Sequence, residues 1–246
     1  FNKSSLLNTL IRRDGKADFF VTGENRPPRF ARAHKQIGFW RGFPNRTDVF
    51  RFPYWKWFLD WPEIPDLPPY PRFGTRLCID QLMRPIEASY SAQQLARRSV
   101  NAIMLSHHLV SPRKRLYRLT DDMIGCSGFG GAFGKDDRSA PKMPMLQNFR
   151  FSLCPENSIG DGYITEKIPE AFYSGCVPIS WCRPEDLAED FNPRAVLNLY
   201  GLNDDECLEV LQHLKTDSGF YKSFIREPLL LKKPSLTPLL NFIHGP

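Results

Sequence analysis

The sequence predicts an α/β protein with parallel strands, and three stretches carry that expectation. Residues 149–154 (FRFSLC) read as a strand. Residues 165–174 read as a short helix with Ile168, Ala171 and Phe172 on one face and Gly175 as its stop. Residues 176–181 (CVPISW) read as the next strand. Strand, loop, helix, strand is a βαβ unit, which implies a parallel sheet. Residues 100–105 (VNAIML) form a further buried strand, followed by a turn at Pro112 and a basic helix over 113–123. Residues 19–22 form a short strand that runs into the loop TGEN.

Composition narrows the class. The chain has 246 residues, 41% of them hydrophobic and 24% charged, which excludes a disordered or collagen-like protein. No run approaches the roughly 20 apolar residues of a membrane helix, and the first fifteen residues lack the apolar core of a signal peptide. The net charge is 33 − 27 = +6, a balance that suits a phosphorylated or polyanionic partner. Nucleic acid is disfavoured, because no zinc-finger spacing, basic-region heptad or RNA-binding aromatic signature is present. The six cysteines form no CxxC pair, so a thiolate zinc site is not expected; free thiols in a reducing compartment are. The sequon at Asn45 would matter only in a secreted chain.

The remaining elements follow in order. Residues 5–13 carry Leu7, Leu10 and Ile11 at helical spacing, with Gly15 as a stop. Residues 35–61 are rich in Trp and Phe, and read either as a packed aromatic layer or as a carbohydrate-stacking surface. Residues 62–72 carry Pro62, Pro65, Pro68 and Pro71 and read as a stiff connector, with a ligand for a proline-recognising domain as the alternative. Residues 91–99 look helical. Residues 125–134 (GCSGFGGAFG) are too glycine-rich for a helix or a central strand and read as loop; neither GxxxxGK[ST] nor GxGxxG is present. Residues 204–215 form an amphipathic helix with Leu208, Leu211 and Leu214 inward.

Ligands of parallel sheets sit at the carboxyl ends of the strands, where loops 23–28 and 155–165 fall. Lys167, beside Glu166 in the first turn of a helix, opposes the helix dipole unless an anion bridges the two; the alternative is a solvated lysine beside a neutralising glutamate. Arg113 opens the helix after strand 100–105, where a guanidinium can fork onto a phosphate pair or simply belong to a solvated basic face. Glu24, after an apolar strand and at the mouth of the sheet, can serve as a base; the alternative is an ordinary surface glutamate with no such role. His107 and His108 are adjacent with no third ligand at suitable spacing, so a metal site is not expected. Asp121 and Asp122 read as solvated.

The run from Phe149 to Pro193 resembles the donor-binding signature of the alpha-1,3-fucosyltransferases, which has the form F-x-L-x-F-E-N-S, then Y-x-T-E-K, a small-residue helix and V-P-I. FVTGENRPPRF and KQIGFW resemble the N-terminal segment of the bacterial members. RFPYWKW stands where the family has an arginine-leucine-proline run, and residues 106–113 resemble its S-N-x-x-x-x-x-R element. The chain departs from these patterns at Trp40, His107, Pro155 and Cys182.

The resemblance implies a GT-B-like architecture, two Rossmann-like domains facing across a cleft with the N-terminal one incomplete. Residues 1–98 would form the acceptor side, 99–215 the GDP-sugar side and 216–246 a helical tail. It implies inverting transfer of fucose from GDP-fucose to an acceptor oligosaccharide in an alpha-1,3 type linkage, with no essential metal. Carried over, Glu24 is the general base; Arg113 and Lys167 neutralise the diphosphate; Glu166 meets the donor ribose; Asn157 and Tyr163 contact the donor. Glu156 is a second acidic candidate for the base. Two other readings stay open: a transferase using another GDP-sugar, and a non-catalytic nucleotide-sugar or glycan-binding module. A bacterial cytoplasmic setting is expected, with an anchor upstream of residue 1 left open.

Overall fold

A computed structural model describes residues 17–135 and 140–245. The helix expected over 5–13 lies outside them. The first lobe begins with β1 (Ala17–Val21), β2 (Ala33–Gly38) and β3 (Val49–Arg51), followed by β4 (Leu59–Asp60) and β5 (Leu77–Cys78). Short helices α1 (Ile79–Leu82), α2 (Ile86–Ser89) and α3 (Ala92–Ala96) lead to β6 (Ser99–Leu105). Then come α4 (Arg113–Ile124), β7 (Cys126–Phe129), α5 (Lys142–Leu146), β8 (Phe149–Leu153), α6 (Lys167–Tyr173), β9 (Val177–Ser180), α7 (Pro184–Asp190) and β10 (Leu197–Asn198). Helices α8 (Asp204–Thr216), α9 (Ser218–Ile225) and α10 (Thr237–His244) close the chain.

Every pairing between these strands is parallel. One sheet has the order β1-β2-β3, a second β10-β9-β8-β6-β7, and β4 pairs with β5. The expected βαβ unit is β8-α6-β9. Ile168, Ala171 and Phe172 are buried, and Gly175 turns the chain with φ 82°. Helix α8 starts in a capping box of Asn203 and Glu206. It buries Cys207, Leu211 and Leu214, while Leu208 is half-buried.

Sequence expectations change at three places. The helix expected over 91–99 spans only Ala92–Ala96, and Ser99 already belongs to β6. The glycine-rich stretch 125–134 is not all loop: residues 126–129 form β7, paired with β6. Its edge position tolerates glycine, and the missing side chain of Gly128 makes room for the Phe133 ring, which a Cβ there would approach to 2.3 Å. Helix α6 starts two residues late, at Lys167, because residues 163–165 turn inward to bury Tyr163, Ile164 and Thr165. The aromatic segment is largely a packed layer: Phe39, Trp40, Phe52, Trp55, Phe58 and Trp61 are buried, and Trp57 is exposed. The proline-rich segment is a connector held by Arg76, which donates to the carbonyls of Pro68 and Trp57.

The lobes are tied by charge and by the returning chain. Arg51 forks onto Asp190 at 2.9 and 2.7 Å, and Arg41 reaches Asp186 at 2.8 Å. Helix α10 packs back on the first lobe, where Lys35 Nζ donates to the Phe242 carbonyl at 2.7 Å and Phe50 meets the Phe242 ring. Asp190 is only 3% exposed, so stripping its partner leaves a buried charge unpaired. Arg51→Ala is expected to cost about 3 kcal/mol in urea unfolding, and Arg51→Met with Asp190→Leu to recover most of that loss.

Candidate active site in the cleft

The sheet order reverses between β6 and β8, because the chain leaves β6 toward β7 on one side and β8 toward β9 on the other. The crevice at such a reversal, at the carboxyl ends of the strands, is where open α/β sheets bind ligands. Arg113, the first residue of α4, lies on one side of it, and the loop after β8 on the other. Arg113 Nη1 donates to Asn157 Oδ1 at 2.9 Å across the crevice. The guanidinium is 6% exposed, and its Nε is buried without a partner. Burial draws its pKa down, against the pull of Glu156, Tyr163 and Glu166.

Lys167 stands at the start of α6. Its ammonium donates to Glu156 Oε2 at 2.8 Å and to Thr165 Oγ1 at 2.6 Å. Glu156, 1% exposed, also accepts from the Thr165 backbone N–H at 2.7 Å and from the Thr165 hydroxyl. Burial lowers the lysine pKa, but Glu156 and Glu166 outweigh it and the net direction is upward. Lys167 is therefore a cation held in place, not a solvated lysine. Glu156 is committed to holding it, which removes Glu156 as a base.

Glu166 precedes the helix as its N-cap. Burial raises its pKa, yet Lys167 and Lys142 prevail and hold it at about 2. One turn on, Glu170 is 3% exposed and accepts from Lys142 Nζ at 2.6 Å, while its second oxygen is buried without a partner. Burial, then repulsion from Glu166, lifts Glu170 to about 7 against Lys142. Lys142 also lies 3.7 Å from Glu166 and lines a cavity of about 340 Å³ together with Leu105, Ser106 and Phe129.

Tyr163 is buried and packs edge-on against Phe39 of the first lobe, with ring centroids 5.0 Å apart. Gly162, at φ 80°, permits this approach: a Cβ there would lie 2.4 Å from the Phe39 carbonyl. Burial raises the Tyr163 pKa, with further contributions upward from Glu156, Glu24 and Glu166 against Lys167.

Glu24 is exposed in the loop after β1. Its own turn is closed by Thr22, whose hydroxyl donates to the Glu24 carbonyl and accepts the Glu24 N–H, both at 3.1 Å. The next residue, Asn25, donates from Nδ2 to Ser158 Oγ at 2.8 Å and to the Ile159 carbonyl at 3.0 Å. Trp40 Nε1 donates to the Arg26 carbonyl at 2.7 Å. The structure thus joins Arg113 to Asn157 directly, gathers Glu166 and Lys167 at one helix start, and brings Glu24 to the cleft through its neighbour.

Sequence reasoning missed Lys142, Glu170, Thr165, Asn25 and the loop-holding role of Trp40. One signal was available: Glu166 and Glu170 are four apart, hence on one helix face, and call for a cation between them. His107 meets Arg72. Asp121 is not simply solvated, since it accepts the Cys126 N–H at 2.8 Å. All six cysteines are free. Among the described residues no group of three His, Cys, Asp or Glu side chains could hold a metal ion, and no helix is long and apolar enough to cross a membrane.

The sequence profile of the glycosyltransferase family 10 (fucosyltransferase) C-terminal region matches residues 95–227, more than half of the chain. The chain belongs to glycosyltransferase family 10. This family 10 chain is 38% identical over 87 residues to the alpha-(1,3)-fucosyltransferase FucT of Helicobacter pylori, a match covering 35% of this chain and 18% of that protein. It is 27% identical over 114 residues to the mouse 4-galactosyl-N-acetylglucosaminide 3-alpha-L-fucosyltransferase 9, covering 46% and 32%. The chain thus spans a third or less of these curated relatives. Its fold matches a crystal structure of an alpha1,3-fucosyltransferase with GDP-fucose at TM-score 0.69 and 24% identity, over 94% of this chain and 74% of that one. A second crystal structure, with GDP, matches at 0.69 and 22%, over 94% and 78%. The architecture is GT-B, with two parallel-sheet lobes facing a cleft.

Glu170 gives this site a pH signature. Its pKa is about 7 in the fold and 4.5 ordinarily, so the folded chain binds more protons between those values. The stability it contributes is full below about pH 4.5 and is lost as pH rises through about 7. Glu170→Gln, neutral throughout, is expected to flatten the fall in urea midpoint between pH 5 and 7.5 relative to wild type.

Proposed function

We propose that this chain carries the catalytic cleft of an inverting fucosyltransferase that uses GDP-fucose and glycosylates a hydroxyl of an acceptor oligosaccharide in an alpha-1,3 type linkage. The observation that carries the reading is the arrangement at the sheet reversal. Two held cations, Arg113 and Lys167, flank the crevice, and the loop bearing Glu24 is hydrogen-bonded to the loop between them. Family membership and the names of the relatives support the choice of sugar and linkage.

In this reading the acceptor hydroxyl oxygen attacks the anomeric carbon of fucose from the face opposite the diphosphate. The carbon–oxygen bond to GDP breaks as the new glycosidic bond forms, and the configuration inverts. Glu24 takes the acceptor proton. Positive charge builds on the sugar, as in glycoside hydrolysis, and negative charge on the departing diphosphate. Arg113 and Lys167 stabilise that negative charge as it develops, the role a metal ion plays elsewhere, so the reaction needs no metal. Glu166, kept ionised by Lys142 and Lys167, is suited to accept hydrogen bonds from ribose hydroxyls, and the cavity beside Lys142 offers room for the rest of the donor. Asn157 and Tyr163 complete the donor side. The six free thiols support a reducing, cytoplasmic setting.

Calorimetric titration with GDP and then UDP, without metal, tests the donor half. GDP is expected to bind saturably and UDP not at all. Lys167→Ala should weaken GDP at least tenfold; equal binding of GDP and UDP, or an unaffected Lys167→Ala, would remove the reading. Glu24→Gln is expected to lower transfer from GDP-fucose to N-acetyllactosamine at least a hundredfold while GDP affinity stays within twofold. Transfer at the wild-type rate would show that Glu24 is not the base, and GDP binding without any transfer by wild type would favour a binding module.

A further inference from the structure

Tyr54 lies under the Glu24 turn. A Cβ placed on Gly23 would sit 1.9 Å from Tyr54 Cδ2, 2.3 Å from Cε2 and 2.6 Å from Cγ, so the ring lies flush against the backbone of the residue before Glu24. No real Cβ approaches carbon so closely, and Gly23 is not at a positive φ, so the glycine is required by the ring and not by the backbone. The ring is itself fixed. Tyr54 begins a 3-10 turn over Tyr54–Phe58, packs edge-on against Phe58 at 4.9 Å, and Phe58 packs against Tyr70 at 4.4 Å. Its phenol pKa is pushed up to about 12 by burial first, then by Glu166 and Glu24, so both carboxylates act on it from the two walls of the cleft.

We propose that Tyr54 is the positioning residue for Glu24: its ring is the floor that sets the height of the Thr22–Asn25 turn, and so the position of the base relative to the donor loop. This rests on the reading of Glu24 as the base. Thr22 closes the turn, Asn25 pins its far end to Ser158 and Ile159, and Trp40 holds Arg26. None of these three supports the turn at Gly23. With the ring removed, the turn keeps its ends and loses its floor. With a methyl added at Gly23, the turn must lift away from the ring. Both changes displace the Glu24 carboxylate without touching Arg113 or Lys167. A displacement of about 1 Å in a catalytic group is enough to cost on the order of a hundredfold in rate.

The test is a double-mutant cycle over Gly23→Ala and Tyr54→Ala, with Tyr54→Phe and Glu24→Gln in the same series. Transfer from GDP-fucose to N-acetyllactosamine, GDP binding by calorimetry and thermal unfolding are measured for each. Each of the two single variants is expected to lower kcat at least tenfold, with KM for GDP-fucose and GDP affinity within twofold of wild type. The double variant should be no worse than Tyr54→Ala alone, because the new methyl enters the vacated space. Tyr54→Phe, which keeps the floor, should restore most of the kcat lost in Tyr54→Ala, and the acid limb of the kcat/KM profile should move in Gly23→Ala and not in Tyr54→Phe. The thermal cycle gives a readout free of catalysis: the Tm loss from Gly23→Ala should vanish in the Tyr54→Ala background. Multiplicative losses, a parallel fall in GDP affinity, or a Tyr54→Phe as slow as Tyr54→Ala would overturn the proposal. If Glu24→Gln keeps the wild-type rate, the base reading fails first and the proposal falls with it, while an intact thermal cycle would still locate the fault in the chemistry and not in the contact.

Discussion

The Glu156 carboxylate is the interaction on which the cleft depends. A lysine at a helix start works against the helix dipole, and a buried ammonium is costly without a partner. Lys167 is stable there because Glu156 lies beneath it, buried, and is itself pinned by the Thr165 N–H and hydroxyl. The same three contacts draw residues 163–165 inward, which delays the helix to Lys167 and buries Tyr163 against the first lobe. One carboxylate therefore sets the start of α6, the position of a cation and the fit of the loop after β8 against Phe39.

Around that pair the charges balance. Glu156, Glu166 and Glu170 carry three negative charges when ionised, and Arg113, Lys142 and Lys167 three positive ones. An entering diphosphate would upset this balance, at a site where burial lifts the Glu170 pKa to about 7. Glu170 lies in the first turn of α6, in contact with Lys142, whereas Arg113 bonds Asn157 across the crevice.

The legible part of this protein was the part built from local pattern. The βαβ unit of β8, α6 and β9 follows from apolar runs and a helix face, and the motifs that singled out Arg113, Asn157, Tyr163, Glu166 and Lys167 are local in sequence. What stayed hidden depends on contacts distant in sequence. Lys142 gains its meaning only when α5 is packed beside α6, and Asn25 only when two loops 133 residues apart meet. β2 was obscured because its residues, AHKQIG, are mostly polar or small and its burial does not alternate, and β3 because it is only three residues long beside an aromatic run. β7 was obscured by glycines that an edge strand accepts and a central strand does not.

The division of labour between the lobes follows from this arrangement. The second lobe holds Lys142 and Lys167 by buried ion pairs and Arg113 by its hydrogen bond to Asn157, so this cluster is in place before any ligand arrives. The first lobe carries Glu24 exposed in the loop after β1, with its backbone held by Thr22. In the proposed role of base, Glu24 must meet an acceptor from solvent, so it cannot be buried in the manner of Lys167. Its position must come from around it instead: from Arg41 and Arg51 locking the lobes, from Asn25 gripping the donor loop, and from the Tyr54 ring under Gly23. An exposed catalytic group on a rigid support is the arrangement that reconciles access with precision.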